Sequence, residues 1–581
     1  VIYNLMVKKV RRKKYPGIEE TGSVKKEWGG KIPIALVFPN LYRVAISNLG
    51  FQIIYQILNQ SDDLVCERVF LPEGGSSPLR VRSWESQRPL LDFELIAFSL
   101  PYENDYLNLM QLLKGAQIPF FSRERGDSYP LLLGGGLALT LNPEPLAEVM
   151  DLVVVGEGEN PLLELLEIYR SVRWTDRAEV LKSLARVEGV YVPGGYFPTP
   201  GGLEPHPGFP PRVKRRITLP LAEYPGHGSI LTAQAEFGKS VLIEPIRGCG
   251  RMCRFCAAGY HYLPPRIRPL AKISGIELAQ KERARVGLLG AALSDHPEFS
   301  RLLEEINQAG LKITLSSLHG EELKDSDLAN LSRGQVRLLT LAPETGSERL
   351  RLSLNKTSTD EQYLEAARKM VSFGIPSLRL YFLYGLPGET PADLPALGDF
   401  IEKIQKRRRK EARRFAGRLT VCLAPFVPKP ATPFQWAVME SARGLQQKRE
   451  EIIRCLRSVP GVFIRTEPIT QARLEAFFGR ADRQMAKILA NNSFPEIKRS
   501  ALAEEIPWLQ PARDPGISFP WDIVDSRVSR GFLWREWQNS QRGIPTKPCP
   551  PRAELLAAEG ISPDCSRCGI CSLASEQKNE M

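Results

Sequence analysis

The sequence predicts an α/β protein with two parallel sheets in series, and three observations carry that reading. Short apolar runs of strand length recur through residues 30–170 and again through 236–436, each followed by a loop and a helical pattern. Strands alternating with helices specify parallel sheets, the first of them doubly wound. Glycine clusters fall at the ends of several runs, where a parallel sheet opens its ligand crevice. Apolar content of 43% against 25% charged residues is ordinary for a globular chain, so the 581 residues can build a sizeable core over roughly three or four domains.

The pattern divides the chain into a basic N-terminal arm (1–29), a first α/β unit (30–170), a linker (171–235), a second α/β unit (236–436), a helical extension (437–500) and a C-terminal region (501–581). In the first unit Ile34–Phe38, Leu95–Ser99, Leu131–Leu133 and Leu152–Val155 read as buried strands, with amphipathic stretches at Gly50–Leu58 and Tyr106–Leu113. Gly134, Gly135 and Gly136 close one strand and Gly156-Glu157-Gly158-Glu159 another, where backbone can approach a ligand. Pro and Gly crowd the stretch from Pro193 to Gly228, as suits a linker. The second unit shows six strand-like runs: Ser240–Ile246, Val286–Ala292, Lys312–Ser317, Arg337–Ala342, Ser377–Tyr384 and Arg418–Pro425. Leu445–Arg457 and Leu474–Asn491 look helical, and the tail is rich in Trp and Pro.

Charge and cysteine usage narrow the function classes. No apolar stretch reaches the ~18–20 residues that span a bilayer, and Val1–Met6 is too short for a signal-peptide core, so the chain reads as cytosolic. The net charge of +12 includes dense basic runs at residues 8–14 and 406–414. Such runs are solvated helix faces or polyanion contacts, which leaves RNA open as substrate or partner. Of ten cysteines, seven fall in two tight groups, which in a reducing compartment points to metal ligation. Cys66, Cys422 and Cys455 stand alone and read as small buried apolar residues.

The first group is Cys249, Cys253 and Cys256, in C-x3-C-x2-C spacing. Three such thiolates can converge on one [4Fe-4S] cube while supplying three of its usual four ligands. The amino and carboxylate groups of S-adenosylmethionine (SAM) can then chelate the open iron. Zinc sites instead pair two knuckles or add histidines, and the chain has only five histidines. With Phe255 before the last cysteine and Val241-Leu242-Ile243 before the loop, the segment resembles the radical SAM superfamily. The resemblance implies a partial (β/α)6 barrel, reductive cleavage of SAM, hydrogen abstraction from substrate, and an electron donor of flavodoxin or ferredoxin type. It also implies SAM contacts at the strand ends: Gly290 after the second strand, Ser316 after the third, Glu344 and Ser347 after the fourth, and Gly385 and Gly388 after the fifth. Glu344 is the carboxylate expected to pair with SAM. Relatives carry arginine where His319 stands.

The first unit, through Leu133-Gly134-Gly135-Gly136, Pro143-Glu144-Pro145, Asp151 and Gly156–Glu159, resembles the cobalamin-binding domain found ahead of radical SAM barrels. That resemblance implies a crevice at loops 39–50, 99–105, 134–142 and 156–160, with Gly134, Gly135 and Gly136 against a planar ring and Ser99 and Glu157 in the rim. The Asp-x-His-x-x-Gly signature that gives cobalt a histidine is absent; Asn40–Gly50 stands in its place. Cobalamin without protein imidazole and a domain that has lost the cofactor both remain open.

The second group is Cys565, Cys568 and Cys571, with Cys549 upstream and Gly569 in the loop. Four thiolates so arranged suit an auxiliary [4Fe-4S] cluster or a structural zinc. Three functional readings follow. The first is a radical SAM enzyme acting on an unidentified substrate, with methyl transfer where cobalamin is bound. The second is a methylthiotransferase-like modifier of RNA or protein, although such enzymes need three N-terminal cysteines and this unit has only Cys66. The third is a non-catalytic iron–sulfur regulator or RNA-associated scaffold.

Overall fold

The structure, a computed structural model, describes residues 18–72, 80–316, 318–412, 416–510, 514–551 and 565–570. The basic run 8–14 and Cys571 lie outside the described residues.

The N-terminal sheet has six strands: β1 (Ile32–Phe38), β2 (Leu64–Phe70), β3 (Leu95–Ser99), β4 (Leu131–Gly135), β5 (Leu152–Val154) and β6 (Val190–Tyr191). Their order is β2-β1-β3-β4-β5-β6, with the first five parallel and β6 antiparallel to β5. This is a flavodoxin-like order, whose switch point lies between β1 and β3. Helices α1 (Leu49–Gln60), α2 (Tyr106–Gly115) and α3 (Glu159–Val172) cover it. Alternation along β1 decides which helix meets which face. Ile34, Leu36 and Phe38 pack with Phe51 and Tyr55 of α1 and Leu165 of α3, whereas Ala35 and Val37 face Leu109 and Leu112 of α2. Both faces are covered, so the strands are apolar throughout. Cys66 lies buried in β2, as its isolation suggested.

Two features depart from the apolar pattern. Strand β2 carries Glu67 and Arg68 at its centre, which hides it from a search for apolar runs. The fold accommodates Arg68 through Glu85 (Nε to Oε1, 2.6 Å) and Glu20. Strand β6 lies within the stretch expected to be a linker, and it extends the N-terminal sheet.

The second unit continues the β/α alternation. Strands β7 (Ser240–Ile243), β8 (Arg285–Leu288) and β9 (Ile313–Leu315) form one parallel sheet; β10 (Leu338–Glu344), β11 (Ser377–Tyr384), β12 (Leu419–Pro425) and β13 (Val462–Thr466) form another. A backbone bond from Leu318 N to Thr340 O (3.3 Å) links their facing edges. The six expected strands are present, some shorter than expected: β8 ends at Leu288, which leaves Gly290 and Ala291 in a loop. Strand β13 adds a seventh, reached through a helix from within the stretch expected to be helical only. The helices used below are α4 (Ala257–His261), α5 (Glu348–Ser353), α6 (Asp393–Glu411), α7 (Ala442–Arg457) and α8 (Arg530–Arg542). No helix among the described residues is long and apolar enough to cross a membrane.

Candidate active site

Strand β7 delivers the chain to the cysteine loop, and the loop's shape is set by its backbone. Gly248 has φ +89°, and a Cβ there would fall 2.4 Å from Tyr262 O, so only glycine lets the loop fold back on itself. Cys256 then N-caps α4. Cys249 and Cys253 are buried and Cys256 is half-buried, near enough for Cys253 and Cys256 to act electrostatically on Cys249. Burial pushes Cys249 well up, and the neighbouring Cys253 and Cys256 push it further. Cys253 is pushed by burial to about 11, with Lys356 opposing and Cys256 adding to the rise. Cys256 is likewise raised by burial. Thiols that penalise one another's charge become thiolates together only beside a strongly cationic centre, and an iron–sulfur cluster supplies one. No three His, Cys, Asp or Glu side chains among the described residues converge on a single ion. A cube, whose irons each take a separate thiolate, does not require that convergence.

The strand ends around this pocket carry the expected groups in different roles. Glu344 closes β10 where its register against β11 shifts, and it has φ +67°. A non-glycine residue rarely adopts that conformation, and such strain gathers where geometry serves a site. Its buried carboxylate acts electrostatically on both Cys253 and Cys256. Its partner is Lys356, whose Nζ lies 3.4 Å from Glu344 Oε1 and 2.7 Å from Ala342 O. Burial would lower the Lys356 pKa, but Glu344 and Cys253 hold it above the usual lysine range. Lys356 escaped the sequence reading; its one signal is a lysine directly after the helix that follows β10. Burial keeps His319 neutral, with Lys356 and Arg251 adding to the effect, so Lys356 rather than His319 is the cation beside Glu344.

The other expected residues shape the loops. Ser316 Oγ donates to Gly290 O (2.9 Å), which holds the turns after β8 and β9 together. Asp295, from the turn after β8, holds Arg251 of the cysteine loop (2.6 Å). Ser347 is the N-cap of α5. Gly385 N donates to Glu389 (3.0 Å) and Gly388 O accepts from Arg349 (3.0 Å), so the turn after β11 is closed by its own neighbours.

The N-terminal crevice faces this site directly. A cavity of about 430 Å³ is lined by Ser99, Gly135 and Gly136 on one side and by Gly248, His261 and Gly290 on the other. The glycines differ. A Cβ on Gly135 would meet nothing within 4 Å, so that position opens into the crevice. Gly136 has φ +107° and lies against Leu100, while a Cβ on Gly134 would strike Leu139 at 2.5 Å, so Gly134 serves packing. Glu157 lines the cavity too, but its carboxylate is engaged by Arg266 (2.5 Å), Arg247 (2.9 Å) and the backbone of Thr218 (3.0 Å). Although burial would raise it, Arg266 and Arg247 hold it well below the usual carboxylate range. Its role is to fasten the two units together. A larger cavity of about 970 Å³ lies at the opposite ends of β7–β9, beside Lys239, Arg285 and Lys312, away from the face where parallel strands gather ligands.

Residues 50–193 match the family described as "Radical SAM proteins, N-terminal", and residues 243–401 match the "Radical SAM superfamily". The chain belongs to the radical SAM superfamily. It is similar to an uncharacterized protein of Methanocaldococcus jannaschii, 28% identical over 479 residues, covering 81% of this chain and 94% of that protein. It is 26% identical over 239 residues to the tRNA-2-methylthio-N(6)-dimethylallyladenosine synthase of Cereibacter sphaeroides, covering 39% of this chain and 53% of that enzyme. Among solved structures, the radical S-adenosylmethionine methyltransferase TsrM from Kitasatospora setae, with cobalamin and a [4Fe-4S] cluster bound, is similar at a TM-score of 0.54 and 15% identity. The match covers 81% of this chain and 99% of that one. The likeness shows the shared architecture of an N-terminal parallel sheet followed by a radical SAM sheet.

The remaining sequence features of this radical SAM enzyme fall elsewhere. On α6 Lys406 pairs with Glu402 (2.8 Å) and Arg407 with Glu361 (2.9 Å), while Arg408 is buried and Arg409 donates to Pro460 O (2.8 Å). In the tail, Cys568 is buried, and Cys549 and Cys565 are half-buried.

Proposed function

We propose that this enzyme binds a [4Fe-4S] cluster through Cys249, Cys253 and Cys256, cleaves SAM there, and acts on a group held in the crevice between the two sheets. The single observation that carries the reading is the Glu344–Lys356 pair, a buried carboxylate and a half-buried lysine, set against Cys253 and Cys256. SAM offers an ammonium that Glu344 can accept from and a carboxylate that Lys356 can donate to, both as charge-assisted hydrogen bonds. The cluster, when bound, supplies the electron that breaks the sulfonium bond; its source would be a flavodoxin- or ferredoxin-type donor. Gly290 and Ser316 shape the wall beside the pocket, and Gly385 and Gly388 shape the turn after β11. A scaffold that only kept a redox cluster would have no use for a strained carboxylate paired with a half-buried lysine.

For the crevice, the reading placed first is cobalamin-dependent methylation, supported by the position of the cavity opposite the cysteine loop. The fit is to an apolar group at Gly135. The 39–50 loop holds no histidine, so a corrinoid there would lack an imidazole from that loop. The second reading, an RNA-modifying methylthiotransferase-like enzyme, is supported by the similarity to the tRNA-2-methylthio-N(6)-dimethylallyladenosine synthase, which spans about half of that enzyme. The internal partners of the α6 basic run weaken its case for RNA contact. Anaerobic reconstitution with SAM and a strong reductant tests the first claim. 5′-Deoxyadenosine is the expected product, accompanied by S-adenosylhomocysteine when a corrinoid takes part; reconstituted protein that leaves SAM intact refutes the reading.

A further inference from the structure

We infer that the C-terminal cysteines build a second, thiolate-ligated metal site, an iron–sulfur cluster or zinc, seated on the outer side of the Cys249–Cys256 loop. The inference stands whether or not the first site turns over SAM.

The first observation is where Cys549 lies. Its N–H donates to Gly250 O at 2.7 Å, and a Cβ on Gly250 would fall 1.7 Å from Cys549 O. Position 250, directly after the first cluster cysteine, is glycine because the tail crosses it. The second observation is the shape of the Cys565–Cys568 loop. Arg567 N–H donates to Cys565 Sγ (3.3 Å), Arg567 has φ +55°, and Gly569 has φ +107°. Two left-handed residues turn the C-x2-C segment into a knuckle and aim a peptide N–H at sulfur. An N–H donor stabilises a thiolate more than a thiol, and soft thiolates select zinc or iron–sulfur clusters. Isolated structural cysteines such as Cys66 carry no such loop.

The third observation joins the two places. Cys568 is buried in one apolar cluster with Met252 and Tyr260 from the first loop, and Cys549 packs against that cluster. Cys568 O accepts from Ser529 N (2.8 Å), which anchors the knuckle to the start of α8. Around this contact the tail straps the first loop down. Arg254, fully buried, reaches Glu536 of α8 (3.1 Å) and Ser353 O (3.0 Å). Asn355 donates to Arg251 O (3.0 Å) and accepts from Thr546 N (2.8 Å). A metal that fixes the knuckle would thereby fix the outer wall of the first site.

Full-length protein purified anaerobically tests this by iron and zinc analysis of three forms. In the Cys249→Ala/Cys253→Ala/Cys256→Ala variant the tail site should retain about four irons or about one zinc per chain. Adding Cys565→Ala/Cys568→Ala should lower that content at least about tenfold. Retained iron makes the site an auxiliary cluster and retained zinc makes it a structural knot. Metal equally low in both variants overturns the proposal. Because the first site is absent from both, this result is independent of SAM cleavage. The milder Cys565→Ser variant guards against misfolding: with its circular dichroism unchanged, it should lose tail metal, and amide exchange across 249–256 should speed up severalfold. Unchanged exchange after metal loss refutes the seating on the loop.

Discussion

The N-terminal and second units of this protein present their C-terminal strand ends to one another across a shared cavity, and the two rims differ in what their polar groups already touch. On the N-terminal rim Glu157 and Glu103 are satisfied from beyond their own unit. Glu157 holds Arg247 and Arg266, and Glu103 pairs with the half-buried Lys429, which also meets Glu475 at 2.9 Å. On the barrel rim Cys253 and Cys256 raise Cys249, Cys256 raises Cys253, and a strained carboxylate stands beside a half-buried lysine. A rim whose charges are engaged within the fold offers a ligand shape and apolar surface. A rim whose groups repel one another, or are held in strain, is completed by what binds there. In the function proposed above, the chemistry belongs to the barrel side and the N-terminal side supplies a wall.

The sharpest way to break that contrast is to remove a thiol. Cys253→Ala should reduce 5′-deoxyadenosine formation to background, measured by mass spectrometry, with loss of cluster iron. Cleavage at the normal rate would place the cluster elsewhere. Next comes the fastening between the units. Glu157→Ala leaves Arg247 and Arg266 buried without their shared carboxylate, which should cost about 3–5 kcal/mol in denaturant unfolding. Unchanged stability, with weakened binding of a crevice ligand, would make Glu157 a ligand contact instead. Smaller again is the pair on the barrel rim. Glu344→Gln or Lys356→Met should each weaken SAM binding by about tenfold to a hundredfold, the worth of a hydrogen bond to a charged group, while iron content stays unchanged. Calorimetric titration showing unaltered SAM affinity in both variants would reassign the pair to loop support.

What was legible in the sequence follows the range of the interactions. The cysteine loop reads clearly because its three cysteines lie within eight residues and their spacing alone carries the resemblance. The parallel strands read clearly where both faces are apolar, as in β1, and poorly in β2, where Arg68 is buried through Glu20 and Glu85. Glu344 was expected at the site; Lys356 was not, because the two meet only through the irregularity that ends β10. Glu157 was legible as a rim carboxylate, but its partners Arg247 and Arg266 come from the other unit and changed its role. Nothing local marks Gly250; its need for glycine comes from Cys549, far away in the sequence, whose backbone crosses it.

The smallest expected effect probes how dry the N-terminal rim is. Asp105 closes the 99–105 loop, accepts from Asn40 Nδ2 at 2.8 Å, and has one buried carboxylate oxygen without a hydrogen-bond partner among the described residues. Burial raises its pKa from the ordinary 3.8 to about 7, with Asn40 and Asn108 opposing and Glu103 adding to the rise. The folded protein therefore keeps a proton that the unfolded chain releases above the ordinary value. Between those two pKa values the native state binds more protons than the unfolded state, so this group's contribution is full below the lower value and is lost as pH rises through about 7. Glu103, also raised by burial, tilts the slope in the same direction, so the wild-type profile alone cannot isolate Asp105. Asp105→Asn can. It keeps an oxygen for Asn40 and removes the titration, so urea midpoints at pH 5 and pH 8 should lie closer together in the variant than in the wild type. Parallel profiles would mean that water reaches Asp105 and that this rim is wetter, and more available to polar ligands, than the contrast with the barrel rim requires.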